Sequence, residues 1–543
     1  MEYSDVDPQP TTSEALADDP TLLEPAGPPD PPLGPLPLPP PQPWQVAASA
    51  RGMYGAGGPQ PAYHNQPAAE PRWRRAFPML MSVLVLGIIV AVRLAARDNP
   101  DNNTPAEWDS RVLPIATFVS ETRELQWTHP VRVDFLPEAD FVALFDEPQQ
   151  SASTVPGTPV VSDPVAARRS AVYNAKGLAV SYNPDDAAST VQAVTTLGFY
   201  SPGTDRIYVR GDELTPAVRV VLAHELTHAL QAQHFDLTAE RPNDLEFRAV
   251  VEADALRVEN VYRDTLSTAE QADADSGNTL TEDARTELDD VPWALVDQSY
   301  APYVLGPNLI NDVFADRGNA GVDRLISAPP TEEILLNPWL LGTEQPRPTV
   351  ILSPPPNSET IENTQQLSPV EMLIIFDAWL PFGKARDALD GWGAGSYASY
   401  ENNDVVCFAA KATFDDGVSA ARFRDTVVAW GEAMGSELSP SLSDETVEFE
   451  ACDRGANARP TPEPVISPMF AITLEHDSIS LAGTDPTPAQ IEGYRCFAAT
   501  LIDDPTAATL LAATEEFTAA QQATFDALTD AAAKACGVPP LER

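Results

Sequence analysis

The chain's 543 residues are too many for one ordinary hydrophobic core, so several units are expected. Its 80 acidic against 33 basic residues give a formal net charge of -47, which excludes a nucleic-acid partner, because holding phosphates needs a basic face. The same balance describes a well-solvated surface and leaves the fold open.

Residues 1–71 form an acidic, proline-dense tail, densest from Pro28 to Pro43. Proline fixes φ and removes a donor, so this stretch is expected to be disordered with local polyproline II character. Residues 72–97 follow as Arg72-Trp73-Arg74-Arg75, an apolar run from Ala76 to Val92, and Arg93. The run is long enough to cross a bilayer with Arg93 snorkelling, and predicts one transmembrane helix. Three arginines precede it, while Arg93 and Arg97 follow it. That excess favours a cytoplasmic N-terminus and an extracytoplasmic remainder. Residues 98–112 read as a linker.

A folded domain is expected over 113–345. Val131 to Phe135 alternates and reads as a strand. Gly198 to Arg210 reads as strand, turn, strand, with Pro202-Gly203 at the turn. Helical spacing runs from Leu214 to about Phe235, from Asn243 to about Asp264, and from about Leu309 to Ser327. The acidic stretch Thr265 to Asp290 reads as a loop. Residues 346–368 are Pro-rich at their start and read as a linker. Over 369–543 an α+β region is expected: a helix over 370–380, short strands around 397–410, a helix over 418–434, and helices from about 488 to 536. This region holds Cys407, Cys452, Cys496 and Cys536, and none of them forms a Cys-x-x-Cys pair. Two disulfides in an oxidising compartment are expected. Of the three possible pairings, that of sequence neighbours is preferred: Cys407–Cys452 and Cys496–Cys536.

Chemistry concentrates in His224-Glu225-Leu226-Thr227-His228. On a helix, residues i and i+4 lie about 40° apart, so both imidazoles face one point. Two neutral imidazoles suit zinc, and Glu225 is placed to act as general base. Apolar neighbours on both sides make this a buried helix, where two histidines without partners would be costly. The third ligand is preferred to be Glu252, a lone acid in Val250-Val-Glu-Ala-Asp-Ala255. His234, Glu246 and Glu259 are the rivals. His234 points roughly 80° from His224 on the side away from His228. Gln231 stands where a metzincin would have the glycine that turns its third histidine inward. Asp254 is a candidate to orient an imidazole, and Tyr262, Tyr300 and Tyr303 are candidate oxyanion donors.

His224-Glu-Leu-Thr-His-Ala229, with a glutamate on the next helix, resembles the gluzincin, or thermolysin-like, zinc metallopeptidases. The longer stretch Val221 to Asp236, with Val251-Glu-Ala-Asp254 and Pro329-Pro-Thr-Glu-Glu-Ile-Leu335, resembles a family of bacterial membrane-anchored zincin-like proteins. Four residues after the glutamate ligand, thermolysin-like enzymes carry an aspartate; this chain has Leu256. The resemblance implies an α+β zincin core with a small sheet, whose edge strand is read as Ile207 to Arg210. It implies zinc on His224, His228 and Glu252, and peptide hydrolysis by attack of zinc-bound water activated by Glu225. The partners it implies are a peptide or protein substrate and the membrane. The alternative is a catalytically inactive cell-surface binding or scaffold protein that keeps the fold.

Overall fold

The computed structural model describes residues 105–541, apart from 146–163, 179–189, 192, 238–244, 278–285, 287, 289–290, 344–349, 353, 356–357, 484–485 and 514–516. The expected tail and membrane span therefore lie outside the described residues. Among those described, no helix is long and apolar enough to cross a membrane.

The fold is α+β. The first elements are α1 (Leu113–Arg123), β1 (Arg132–Leu136), α2 (Glu138–Val142), α3 (Pro164–Ala175), β2 (Gly198–Ser201) and β3 (Arg206–Arg210). Helices α4 (Pro216–His234), α5 (Leu245–Asp264), α6 (Thr268–Gly277), α7 (Trp293–Ser327) and α8 (Glu332–Leu336) come next. Beyond them lie β4 (Glu359–Gln366), α9 (Pro369–Asp377), α10 (Phe382–Asp387), β5 (Trp392–Asn402), β6 (Val405–Phe414) and α11 (Gly417–Met434). The chain closes with β7 (Ser441–Ser443), β8 (Thr446–Cys452), α12 (Pro468–Ser480), α13 (Pro488–Asp503), α14 (Pro505–Leu511) and α15 (Ala519–Cys536).

The small sheet has the order β1-β3-β2, with β1 parallel and β2 antiparallel to β3. This corrects the expected edge. Ile207 to Arg210 is the central strand, and the edge strand beside α4 is β2. The parallel partner, β1, lies some seventy residues upstream, a pairing that local pattern cannot reveal. The second sheet is antiparallel throughout, in the order β4-β5-β6-β8-β7. Helix α11 lays Phe423 against Phe414 and Trp430 against Phe449 on this sheet. Asp416 caps α11 by accepting from the Val418 and Ser419 amides at 2.8 Å.

Three other expectations change. Part of the presumed acidic loop is helical, as α6, where Glu270 pairs with Arg219 of α4. The 346–368 segment carries β4, whose polar Thr and Gln residues give no apolar alternation to read. The helix expected from Leu309 starts at Trp293 and passes Pro302 and Pro307. Proline disfavours a helix interior, but Trp293, Tyr300, Leu305, Leu309 and Ile310 all bury themselves along this stretch. Helical φ/ψ breaks only at Gly318, with φ 59°.

The largest apolar cluster runs from Ala175 to Ala508 and joins residues of α5 and α7 to those of α9, the second sheet and α12. Within it α7 approaches α5 closely at Gly306. A Cβ there would overlap the Ala249 carbonyl and lie 2.8 Å from the Ala253 Cβ. Gly306→Ala is therefore expected to destabilise the fold by about 1–3 kcal/mol through overpacking, read from the denaturant midpoint. An unchanged midpoint would show that the two helices separate freely.

The four cysteines form two disulfides, Cys407–Cys452 and Cys496–Cys536, the neighbour pairing expected. The first joins register partners on β6 and β8, and the second joins α13 to α15. They span 45 and 40 residues. Replacing either pair with alanine is expected to cost about 2–4 kcal/mol, because each closed loop restricts the unfolded chain. Thiol labelling of the folded chain without reductant is expected to mark no cysteine; modification at two sites would contradict at least one bridge.

Candidate metal centre

Thr215 opens α4, its hydroxyl accepting from the Val218 amide at 3.3 Å, and Pro216 takes the first helical position. From Ala217 to Gln231 nearly every residue of α4 is buried, as expected for a helix apolar on all faces. His224, Glu225 and His228 thus project from one rigid element into the interior. Helix α5 runs beside it and presents Glu252, which is 1% exposed, like His228; His224 and Glu225 are fully buried.

The side chains converge. His224 Nε2 and His228 Nε2 are 3.0 Å apart, and Glu252 Oε2 lies 3.3 Å from the first and 3.1 Å from the second. A tetrahedral zinc with bonds of about 2.0–2.1 Å separates its ligand atoms by roughly 3.3 Å. The triangle is close to that size, and two imidazole nitrogens with one carboxylate oxygen form a set that zinc accepts. Three protein ligands also leave one coordination position open, as catalytic zinc sites require.

Burial opposes a charge on His224, but its hydrogen bonds to Glu252 and Glu259 outweigh burial and push the ring up to about 10. Burial also opposes ionisation of Glu252, yet the facing imidazoles bring it down to about 2. A divalent ion would serve all three of these atoms at once. Burial pushes Glu225 up to about 7, against the pull of both histidines.

Around this triangle the residues divide. Glu259, a rival ligand from sequence, instead accepts from His224 Nδ1 at 2.9 Å, and burial raises its carboxyl. It lies seven residues after Glu252, two helical turns on and so on the same face. It occupies the orienting place for which Asp254 was a candidate. Asp254 touches neither imidazole; it accepts from Gln231 Nε2 at 2.8 Å, and Gln231 Oε1 faces His228 Nδ1 at 3.0 Å. In the sequence Gln231 reads only as the residue in place of a metzincin glycine. Its place three residues after His228, on the same helix face, was the signal available. His234 is exposed and bonds the Gln126 carbonyl at 2.8 Å, away from the group. Glu246 is buried in the first turn of α5 and is not part of the cluster. Of the tyrosines, Tyr303 reaches the group, donating to Glu252. Tyr262 bonds Arg219 and stacks on Phe118, and Tyr300 bonds Thr195.

The edge strand touches the group as well. The Tyr200 amide of β2 donates to Glu225 Oε2 at 2.6 Å, while Glu225 Oε1 is buried and has no hydrogen-bond partner among the described residues. No protein-family model, curated protein or solved structure matches this chain.

Proposed function

We propose that this chain is a zinc-dependent metallopeptidase with a zincin-like core, anchored in the cell membrane by residues 72–97. The observation that carries the reading is the convergence of one atom each of His224, His228 and Glu252 to 3.0–3.3 Å of one another, with Glu225 on the same turn as the histidines. These three residues would hold the ion. Zinc, when bound, polarises a carbonyl and acidifies water.

The chain's own residues supply the rest. Glu225 takes the proton of the attacking water, and its place in a dry interior lifts it towards neutrality, where a carboxylate works well as a base. Tyr303 steadies Glu252. Strand β2 is the sheet edge beside Glu225, and its Tyr200 amide holds that carboxylate in place. The two disulfides support an extracytoplasmic catalytic region, and the arginine distribution around 72–97 supports a cytoplasmic N-terminus.

A second reading, a scaffold that binds zinc without hydrolysis, draws on the burial of the whole group and on the Tyr200 amide held by Glu225. The test uses the full chain in detergent, with zinc content and cleavage of an unfolded protein measured together. One zinc per chain with chelator-sensitive cleavage is the expected result. Zinc without cleavage would establish the scaffold, and a chain that takes up no zinc would refute both.

A further inference from the structure

Each imidazole is held from behind by a different device, and one of them extends into a buried polar chain. Gln231 is fully buried. Its amide nitrogen lies 2.8 Å from Asp254 Oδ2 and 3.2 Å from the Val251 carbonyl oxygen. A carboxylate and a carbonyl only accept, so the amide nitrogen must face them. The flipped amide would set its oxygen against two acceptors. Gln231 Oε1 consequently faces His228 Nδ1, 3.0 Å away, and can only accept. Nδ1 must then carry a hydrogen, and in the neutral ring Nε2, which faces His224 and Glu252, presents a lone pair.

Asp254 is itself immobilised. Arg257 Nη2 lies 2.9 Å from Oδ1, and Arg123 Nε lies 2.8 Å from Oδ2. Both guanidinium groups also donate to Asn319 Oδ1 at 2.9 Å, and Asn319 donates to the Thr122 carbonyl at 3.0 Å. These side chains are all buried, and Asn319 directly follows the break at Gly318 in α7. Donation therefore runs from His228 Nδ1 to Gln231 and from Gln231 to Asp254, where it meets the hydrogen bond from Arg257 and the ion pair with Arg123.

We propose that Gln231 and Asp254 are positioning residues for the metal: Asp254 fixes the Gln231 amide, and Gln231 fixes the His228 ring with its hydrogen on Nδ1, leaving Nε2 bare for the ion. This rests on the metal-site reading above. The two ligand histidines then differ in kind. His224 leans directly on the Glu259 carboxylate, whereas His228 leans on a neutral amide that passes the constraint to a carboxylate one residue further back. Partners of this type commonly contribute about 10–100-fold to metal affinity.

The test compares the full chain with Gln231→Met, a side chain of similar volume that cannot replace the amide's hydrogen bonds. Long-range 1H–15N spectra of 15N-histidine-labelled, metal-free protein report the tautomer, with His228 assigned from the spectrum of His228→Asn. The wild-type chain is expected to show His228 hydrogenated at Nδ1. In Gln231→Met that preference is expected to relax towards Nε2, and zinc affinity, measured by competition with a chromophoric chelator, to fall about 10–100-fold. A merely structural glutamine would leave the tautomer unmoved. Wild-type His228 hydrogenated at Nε2 overturns the proposal, and this measurement decides alone if the variant does not fold. A wild type that binds zinc, with a variant that binds it equally, overturns the proposal and leaves the metal reading standing. A wild type that takes up no zinc overturns both.

Discussion

Glu225→Gln is expected to leave the chain folded and its zinc content unchanged while peptide hydrolysis falls by about 10²–10⁴-fold, the usual contribution of a positioned general base. The substitution is nearly isosteric. The amide oxygen can still accept from the Tyr200 amide, as Glu225 Oε2 does at 2.6 Å, so β2 keeps its attachment to α4. The amide nitrogen then falls at the position of Oε1, a buried atom with no hydrogen-bond partner among the described residues. What disappears is the ability to take a proton. Zinc content by metal analysis, kcat on an unfolded protein substrate, and the thermal midpoint separate the effects. Activity within a few-fold of wild type would remove Glu225 from the mechanism, whatever metal the chain holds.

The second large effect concerns the third ligand. Glu252→Ala should lower zinc affinity by about a hundredfold or more, since a ligand contributes at least as much as the group that orients it. It would leave the Tyr303 hydroxyl without its acceptor, and two imidazole nitrogens 3.0 Å apart with no carboxylate between them. His234→Ala, by contrast, removes one hydrogen bond to the Gln126 carbonyl at the exposed end of α4. Its effect should stay within about twofold, as for an ordinary surface substitution. Chelator competition on both variants decides. If His234→Ala empties the site and Glu252→Ala does not, the ligand set proposed here is wrong.

The parts of this site that could be read from sequence are those set by one helix. The four-residue spacing of His224 and His228 fixes their common direction before any tertiary structure is known. Glu252 stood out because an acid inside Val250-Val-Glu-Ala-Asp-Ala255 has to face something polar. Legibility ended where two elements had to be placed against each other. Glu259 and Asp254 are both acids on α5, and only the packing of α5 on α4 decides that Glu259 meets an imidazole and Asp254 meets Gln231. The same limit explains the sheet. Strand β1 is visible from its alternation, and β2 and β3 from the turn at Pro202-Gly203, but the position of β3 between β1 and β2 depends on a parallel pairing between distant segments. Helix α7 shows the converse, since its prolines argued against a helix that packing nonetheless maintains.

The cluster that seats α5 bears on how the protein can be divided. Phe247, Ala249, Val250, Val251 and Ala253, which flank Glu252, belong to the same apolar body as Met372, Leu373, Ile374, Phe408 and Met469. A boundary at residue 345 cuts through that body. A fragment ending there would contain the three ligand side chains and Glu225 yet lack part of the apolar mass against which the α5–α7 pair is set. Such a fragment would present greasy surface to water and would be prone to self-association. Heat or denaturant should melt the metal site and the C-terminal sheet in a single transition rather than in sequence. The residues that flank Glu252 and those of the second sheet are therefore expected to unfold together, and a piece that keeps His224, His228 and Glu252 in place should extend past the second sheet.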